Sequence, residues 1–157
     1  MYKIEPMTPE YAEMVSQWVY PSPYAIYSFK KDDETISELM NSEYFICRDE
    51  QNSIIGYFCF GVSAQIPTNE KDVYNTCILD IGLGLRPDLC GKGLGLSFIQ
   101  AGMDYGRQFL HAEELRLTVA SFNKRAIALY KKAGFSEVSK VTHRITNKEF
   151  IVMRCTL

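Results

Sequence analysis

At 157 residues the chain has room for one domain built around a single core. Its 46% hydrophobic and 23% charged residues are ordinary for a globular protein, and Lys and Arg are scattered over a net charge of −2, which excludes the basic footprint of a nucleic-acid binder. The opening Met1-Tyr2-Lys3-Ile4-Glu5-Pro6 lacks the basic start and apolar run of a secretory signal. The longest apolar run, Ile54 to Val62, is too short to span a bilayer, so no membrane partner and a cytoplasmic location are expected. Cys47, Cys59, Cys77, Cys90 and Cys155 are odd in number, form no C-x-x-C pair, and four of them lie in apolar strand-like stretches, so they read as small, reduced core residues. Neither His111 nor His143 stands at ligand spacing from a cysteine, and no metal site is expected.

In chain order, Thr8 caps a predicted helix with Pro9 in its first turn and Tyr11, Met14, Val15 and Trp18 on one face; it should stop before Pro21. Tyr20 to Phe29, with two prolines and four aromatics, suits an ordered loop. Asp32 or Asp33 opens a second helix through about Met40, with Ile36, Leu39 and Met40 inward. Tyr44 to Arg48 and Ser53 to Val62 read as an antiparallel hairpin turning at Asp49-Glu50-Gln51-Asn52. Ser63 to Tyr74 reads as a loop. A strand from Thr76 to Leu85 follows, with Ile78, Asp80, Gly82 and Gly84 on one side and Cys77, Leu79, Ile81 and Leu83 on the other; its two glycines invite a bulge. From Gly93 to Leu110, Leu96, Ile99, Met103, Gly106 and Phe109 repeat at helical spacing, and Leu115, Leu117 and Val119 then alternate in a strand to Ala120. Strand, crossover helix and strand normally make a parallel pair. Asn123 to Ala133 is a helix stopped by Gly134, and Ser136 to Arg144 and Lys148 to Thr156 close the chain as a hairpin around Thr146-Asn147.

The segment from Leu79 to Leu96 carries the chemistry, because it runs from a buried strand through a glycine-rich turn straight into a helix. Helix starts carry unpaired N–H groups and partial positive charge, and glycines let a phosphate approach them. The spacing is not that of a dinucleotide fingerprint, since after Gly91 and Gly93 the third glycine is Gly95 and position 96 is Leu. It is not a Walker A loop either, because Gly93 stands where Ser or Thr should follow Lys92, and Arg86 where the first glycine should be.

Strand, proline and the loop Cys90-Gly91-Lys92-Gly93-Leu94-Gly95, followed about thirty residues later by the block from Asn123 to Phe135, resemble the GNAT superfamily of acyl-CoA-dependent N-acyltransferases over residues 1–157. The family pattern is Gln or Arg, two residues, then Gly-x-Gly; Gly93 and Gly95 match, while Cys90 replaces the Gln or Arg and so puts one side-chain contact to the pyrophosphate in doubt. The resemblance implies a single α/β domain: a mixed, mostly antiparallel sheet with a splayed central parallel pair and helices on both faces. It implies acetyl (acyl) transfer from acetyl-CoA to a primary amine by direct attack. The pantetheine arm would pair with Leu83, Gly84 and Leu85. The pyrophosphate would rest on backbone N–H groups from Gly91, Gly93, Leu94, Gly95 and Leu96, with Arg86, Lys92 or Arg125 adding charge, and Asn123 and Ala126 would lie along the arm. Lys92 and Arg125 are equally compatible with solvated surface charges.

Tyr130, in the tyrosine position of the family block with Gly134 and Phe135 after it, is implied as the acid that protonates the leaving thiolate; packing on the core would orient it in the same way. Asp80 is a candidate base or else a structural carboxylate, in which case Glu70, Asp72, Glu10 or ordered water would serve. Tyr20, Tyr24, Tyr27 and Tyr74 are candidates for walling an amine acceptor, a small molecule or a peptide, although packing of the helix pair explains most of them equally well. Dimers are common in the family, so a homodimer is compatible with it. Two rivals stand beside this reading: a non-catalytic acyl-CoA sensor of the same fold, suggested by Cys90, and an ATP- or NAD-binding α/β domain, which would need further βα units where the chain instead ends in a hairpin.

Overall fold

The computed structural model describes residues 1–157. One sheet of seven strands runs in the order β1 (Lys3–Pro6), β2 (Tyr44–Arg48), β3 (Ile54–Phe60), β4 (Leu79–Leu85), β5 (Glu114–Ala120), β7 (Glu149–Thr156), β6 (Ser136–Thr142). All neighbouring pairs are antiparallel except β4 and β5. That parallel pair is joined by α3 (Gly95–Phe109), the crossover that such strands require. The expected mixed sheet is therefore present.

Alternation along the central strands assigns the two faces. Phe58, Ile81, Leu115, Leu117 and Met153 point to α3 and α4 (Lys124–Ala133), where Phe98, Ile99 and Ile127 complete the larger core. Ile46, Tyr57 and Cys59 point the other way, to α1 (Pro9–Ser16) and α2 (Asp33–Leu39), against Val15, Trp18 and Leu39. Helices thus cover both faces, and none is long and apolar enough to cross a membrane. Thr8, Asp32 and Asn123 cap α1, α2 and α4 through their side-chain oxygens, and Gly134 ends α4 at φ 109°.

Several sequence expectations need correction. The central strand begins at Leu79, not Thr76, because the β3 ladder ends at Phe60 opposite Ile81 and the β5 ladder at Leu115 opposite Leu79, leaving 76–78 without a partner. Cys77 is accordingly exposed and Cys90 half-buried, so only Cys47, Cys59 and Cys155 are core residues. No bulge interrupts β4 against β3, whose partners step one for one from Gly56–Leu85 to Phe60–Ile81. Phe109 is exposed and stacks 4.9 Å from Tyr105, and Phe98 and Gly102 hold the buried face of α3 instead. Met40 lies outside α2 and is exposed. The first helix ends at Ser16, short of Trp18, and β3 ends at Phe60 because Gly61 (φ 86°) turns the chain into a 3-10 turn. β1, with its half-polar Lys-Ile-Glu-Pro sequence, was not anticipated; it forms because β2 offers an open edge.

Candidate active site

The parallel pairing of β4 and β5 consists of two rungs, Leu79–Leu115 and Asp80–Arg116, although both strands continue, to Leu85 and Ala120. Beyond Asp80 the strands part. The Arg86 N–H donates to the Ile55 carbonyl at 2.7 Å, which fixes the phase of the β3–β4 ladder. In that phase the backbone groups of Gly82 and Gly84 face β3, and those of Leu83 and Leu85 face the gap. The gap therefore presents main-chain donors and acceptors on which an extended ligand can pair as an added strand.

At the end of β4 the chain turns through Pro87–Leu89 and the glycine loop into α3. Gly91 and Gly93 adopt φ of 75° and 79°, conformations that a side chain resists, and nothing lies within 4 Å of a side chain built at Gly93. Leu94 precedes the helix without a side-chain cap, so the first N–H groups of α3, at Gly95 and Leu96, are left for an anion. Gly95 has a packing role as well, since a Cβ there would come within 2.8 Å of Leu129 on α4. These features fit a pyrophosphate.

The charged residues divide. Lys92 is exposed and makes no ion pair. The Arg125 guanidinium lies 4.7 Å over the Tyr24 ring, and its Nη1 is 3.5 Å from where a Gly91 Cβ would be, so it stands beside the loop. Arg86 is paired: its Nε donates to Asp88 Oδ1 at 2.6 Å and its Nη1 to the Ile54 carbonyl at 2.9 Å, and it lines a cavity of about 680 Å³ together with Leu89, Leu94 and Ser97. A phosphate would compete with these partners for its guanidinium. The Cys90 thiol rests 3.8 Å from the Leu85 carbonyl; burial pushes its pKa up, with Arg125 pulling the other way, so it is no activated nucleophile.

On α4, Asn123 Oδ1 accepts the Ala126 N–H at 3.2 Å, which spends that amide on the cap and removes it from the ligand set. Asn123 Nδ2 donates to the Tyr27 hydroxyl at 3.2 Å, tying the aromatic loop to the helix that carries Tyr130. Tyr130 is half-buried, its ring 6.2 Å from Phe135. Burial, and secondarily the neighbouring Tyr27, raise its phenol above the ordinary 10.0, so it holds its proton at neutral pH.

Asp80 is 2% exposed and fully engaged. Arg116 Nε donates to Oδ1 at 2.7 Å and Nη2 to Oδ2 at 2.8 Å, while Gln65 Nε2 donates to Oδ2 at 2.9 Å. A buried carboxylate that already accepts three hydrogen bonds, from a bidentate guanidinium and an amide, is held as an ion-pair partner and is poorly accessible to a substrate proton. The structural alternative is the one the geometry favours: the pair locks the last rung before the strands part. Arg116 is bound in turn to Thr76 Oγ1 at 2.9 Å and lies 5.0 Å over the Tyr74 ring. Tyr74 is thereby occupied, its hydroxyl 2.8 Å from Thr118 Oγ1. Glu70 accepts the Thr142 N–H at 2.7 Å, and Asp72 and Glu10 are exposed on a loop and in the first turn of α1.

The aromatic loop does reach the gap. The Tyr20 hydroxyl donates to the Leu85 carbonyl at 2.7 Å, removing that acceptor from the free edge, and Tyr24 and Tyr27 lie 6.0 and 6.3 Å from Phe122. The sequence reading missed Tyr57, whose ring covers Gly84 so closely that a Cβ there would meet Cε1 at 2.2 Å. The available signal was a tyrosine on the strand next to a glycine strand. Gly84→Ala is expected to displace this ring and cost about 1–3 kcal/mol, measurable by urea unfolding.

A model of the acetyltransferase (GNAT) family matches residues 12–135. The chain belongs to that family. An N-alpha-acetyltransferase of Sulfurisphaera tokodaii is 40% identical over 111 residues, 67% of this chain and 64% of the relative. A mycothiol acetyltransferase of Propionibacterium freudenreichii is 33% identical over 94 residues, 60% of this chain and 28% of that protein. The chain thus spans less than two thirds of the length of these relatives. The solved spermidine/spermine N-acetyltransferase of Vibrio cholerae superposes with a TM-score of 0.70 at 17% identity, over 99% of this chain and 92% of that one, which shows that this GNAT chain has the same fold.

Proposed function

We propose that the protein transfers an acetyl group from acetyl-CoA to a primary amine, a small molecule or a peptide N-terminus, by direct attack. The observation that supports this most strongly is the opened parallel pair lying directly before an uncapped helix start, with the protonated phenol of Tyr130 on the neighbouring helix. Leu83 and the Leu85 N–H offer the main-chain edge for the pantetheine arm, and Gly91, Gly93, Gly95 and Leu96 the amides for the pyrophosphate, with Lys92 and Arg125 beside them. Acetyl-CoA supplies the thioester. The Leu83 N–H, fixed in the gap, stabilises negative charge on the acyl oxygen, and Tyr130 holds the proton that the departing sulfur needs. Tyr20, Tyr24 and Tyr27 frame the acceptor side.

The sensor alternative draws on Cys90 and gains from the pairing of Arg86 with Asp88, since both thin the side-chain contacts to a phosphate. Calorimetry with coenzyme A, ATP and NAD, followed by thiol release from acetyl-CoA against a panel of amines, decides between them. The expected result is uptake of coenzyme A alone and thiol release with at least one amine. Uptake without release for any amine would leave a sensor.

A further inference from the structure

Tyr57 sits on β3 opposite Gly84, on the face that carries α1 and α2. Its ring is fixed from three sides, 5.6 Å from Phe29, 6.1 Å from Tyr44 and 6.2 Å from Trp18. Because residue 84 has no side chain, the Tyr57 hydroxyl comes to 2.7 Å from where a Cβ would be, directly over the strand that borders the gap. The residue is 7% exposed, yet the hydroxyl has no hydrogen-bond partner in the protein. No fully enclosed side-chain polar atom in the structure is left unsatisfied, so this hydroxyl keeps some contact with solvent. The same reasoning applies to Tyr130, which also lacks a side-chain partner and is near enough to Tyr57 to act on its charge. Three other hydroxyls around the gap are engaged, Tyr20 on Leu85, Tyr27 on Asn123 and Tyr74 on Thr118, while Tyr24 packs its ring against Arg125 and Phe122. Asp80, the one buried carboxylate, is held by three hydrogen bonds from Arg116 and Gln65.

On this basis, and resting on the acetyl-transfer reading above, we infer that Tyr57 is a second catalytic phenol, which receives the acceptor amine on the α1–α2 side while Tyr130 serves the sulfur. The neutral amine donates one N–H to the Tyr57 oxygen, which turns its lone pair toward the thioester carbon. As the C–N bond forms and the C–S bond breaks, the surplus proton on nitrogen leaves through the Tyr57 hydroxyl to water in the cleft. The thiolate takes the proton of Tyr130, which is restored from the same water. One proton thus moves from nitrogen to sulfur and neither phenol stays ionised. A phenol without a nearby free carboxylate is a hydrogen-bond acceptor and not a strong base, so the site suits amines that arrive already neutral. That predicts selection for acceptors of low pKa, such as peptide α-amines at about 7.7–8.0, over alkylamines near 10.4.

The test compares wild type with Tyr57→Phe, which keeps the ring. Calorimetry is run with coenzyme A and with a conjugate in which its sulfur is joined through an acetyl linker to n-butylamine. The variant is expected to bind coenzyme A as wild type does, to bind the conjugate about tenfold more weakly, and to show a kcat about tenfold to a hundredfold lower with unchanged KM for acetyl-CoA. Equal affinity for the conjugate in both proteins would overturn the role of Tyr57, whatever the turnover. Absence of turnover in wild type, with the conjugate still weakened by the substitution, would instead sink the acetyl-transfer reading and leave the Tyr57 contact standing.

Discussion

Replacing Tyr130 by phenylalanine is expected to lower kcat for acetyl transfer by about 10²- to 10⁴-fold, the usual worth of a positioned acid, with coenzyme A affinity little changed. The phenol is placed by its helix, which Asn123 caps at one end and Gly134 stops at the other, and its ring leans on Phe135. Phenylalanine keeps all of that packing and removes only the hydroxyl, which has no partner in the protein to lose. Because burial raises the phenol above 10.0, its protonated form prevails throughout the neutral range, and the ratio of wild-type to mutant kcat should stay flat from about pH 6 to pH 9. Turnover of the variant within threefold of wild type would remove the acid role and transfer protonation of the thiolate to solvent.

Arg116→Met is expected to destabilise the fold by about 3–5 kcal/mol, because it strands the Asp80 carboxylate inside the protein. That is a large part of the roughly 5–15 kcal/mol available to a domain, so the midpoint of urea unfolding should fall markedly. The double replacement Asp80→Leu with Arg116→Met should recover most of the loss, since two apolar residues remove the stranded charge. Were Asp80 the base, the double replacement would recover stability and still abolish turnover. A single-variant cost below about 1 kcal/mol would mean that the pair behaves as an exposed bridge.

Much of the architecture was legible because it rests on local rules. The helix starts at Thr8, Asp32 and Asn123 and the stop at Gly134 are written in capping residues and appear where expected. Strand ends were less legible. Ile78 alternates with Asp80 as a strand residue should, but no rung of either neighbouring ladder reaches it, and pairing depends on distant segments. Phe109 matches the spacing of the buried face yet is exposed beside Tyr105, in the last turn of α3.

For the site, the sequence by itself determined the glycine turn, the order of strand, loop and helix, and Tyr130 at its place in the later helix. Glycine conformations and helix starts are local consequences of residue type. Only the tertiary structure decided how the side chains are spent. It paired Arg86 with Asp88, tied Asp80 to an arginine from β5, used the Ala126 amide in a cap, and brought Tyr57 over Gly84. Those partners lie on different elements and meet only through the register of the sheet, which no single stretch of sequence contains.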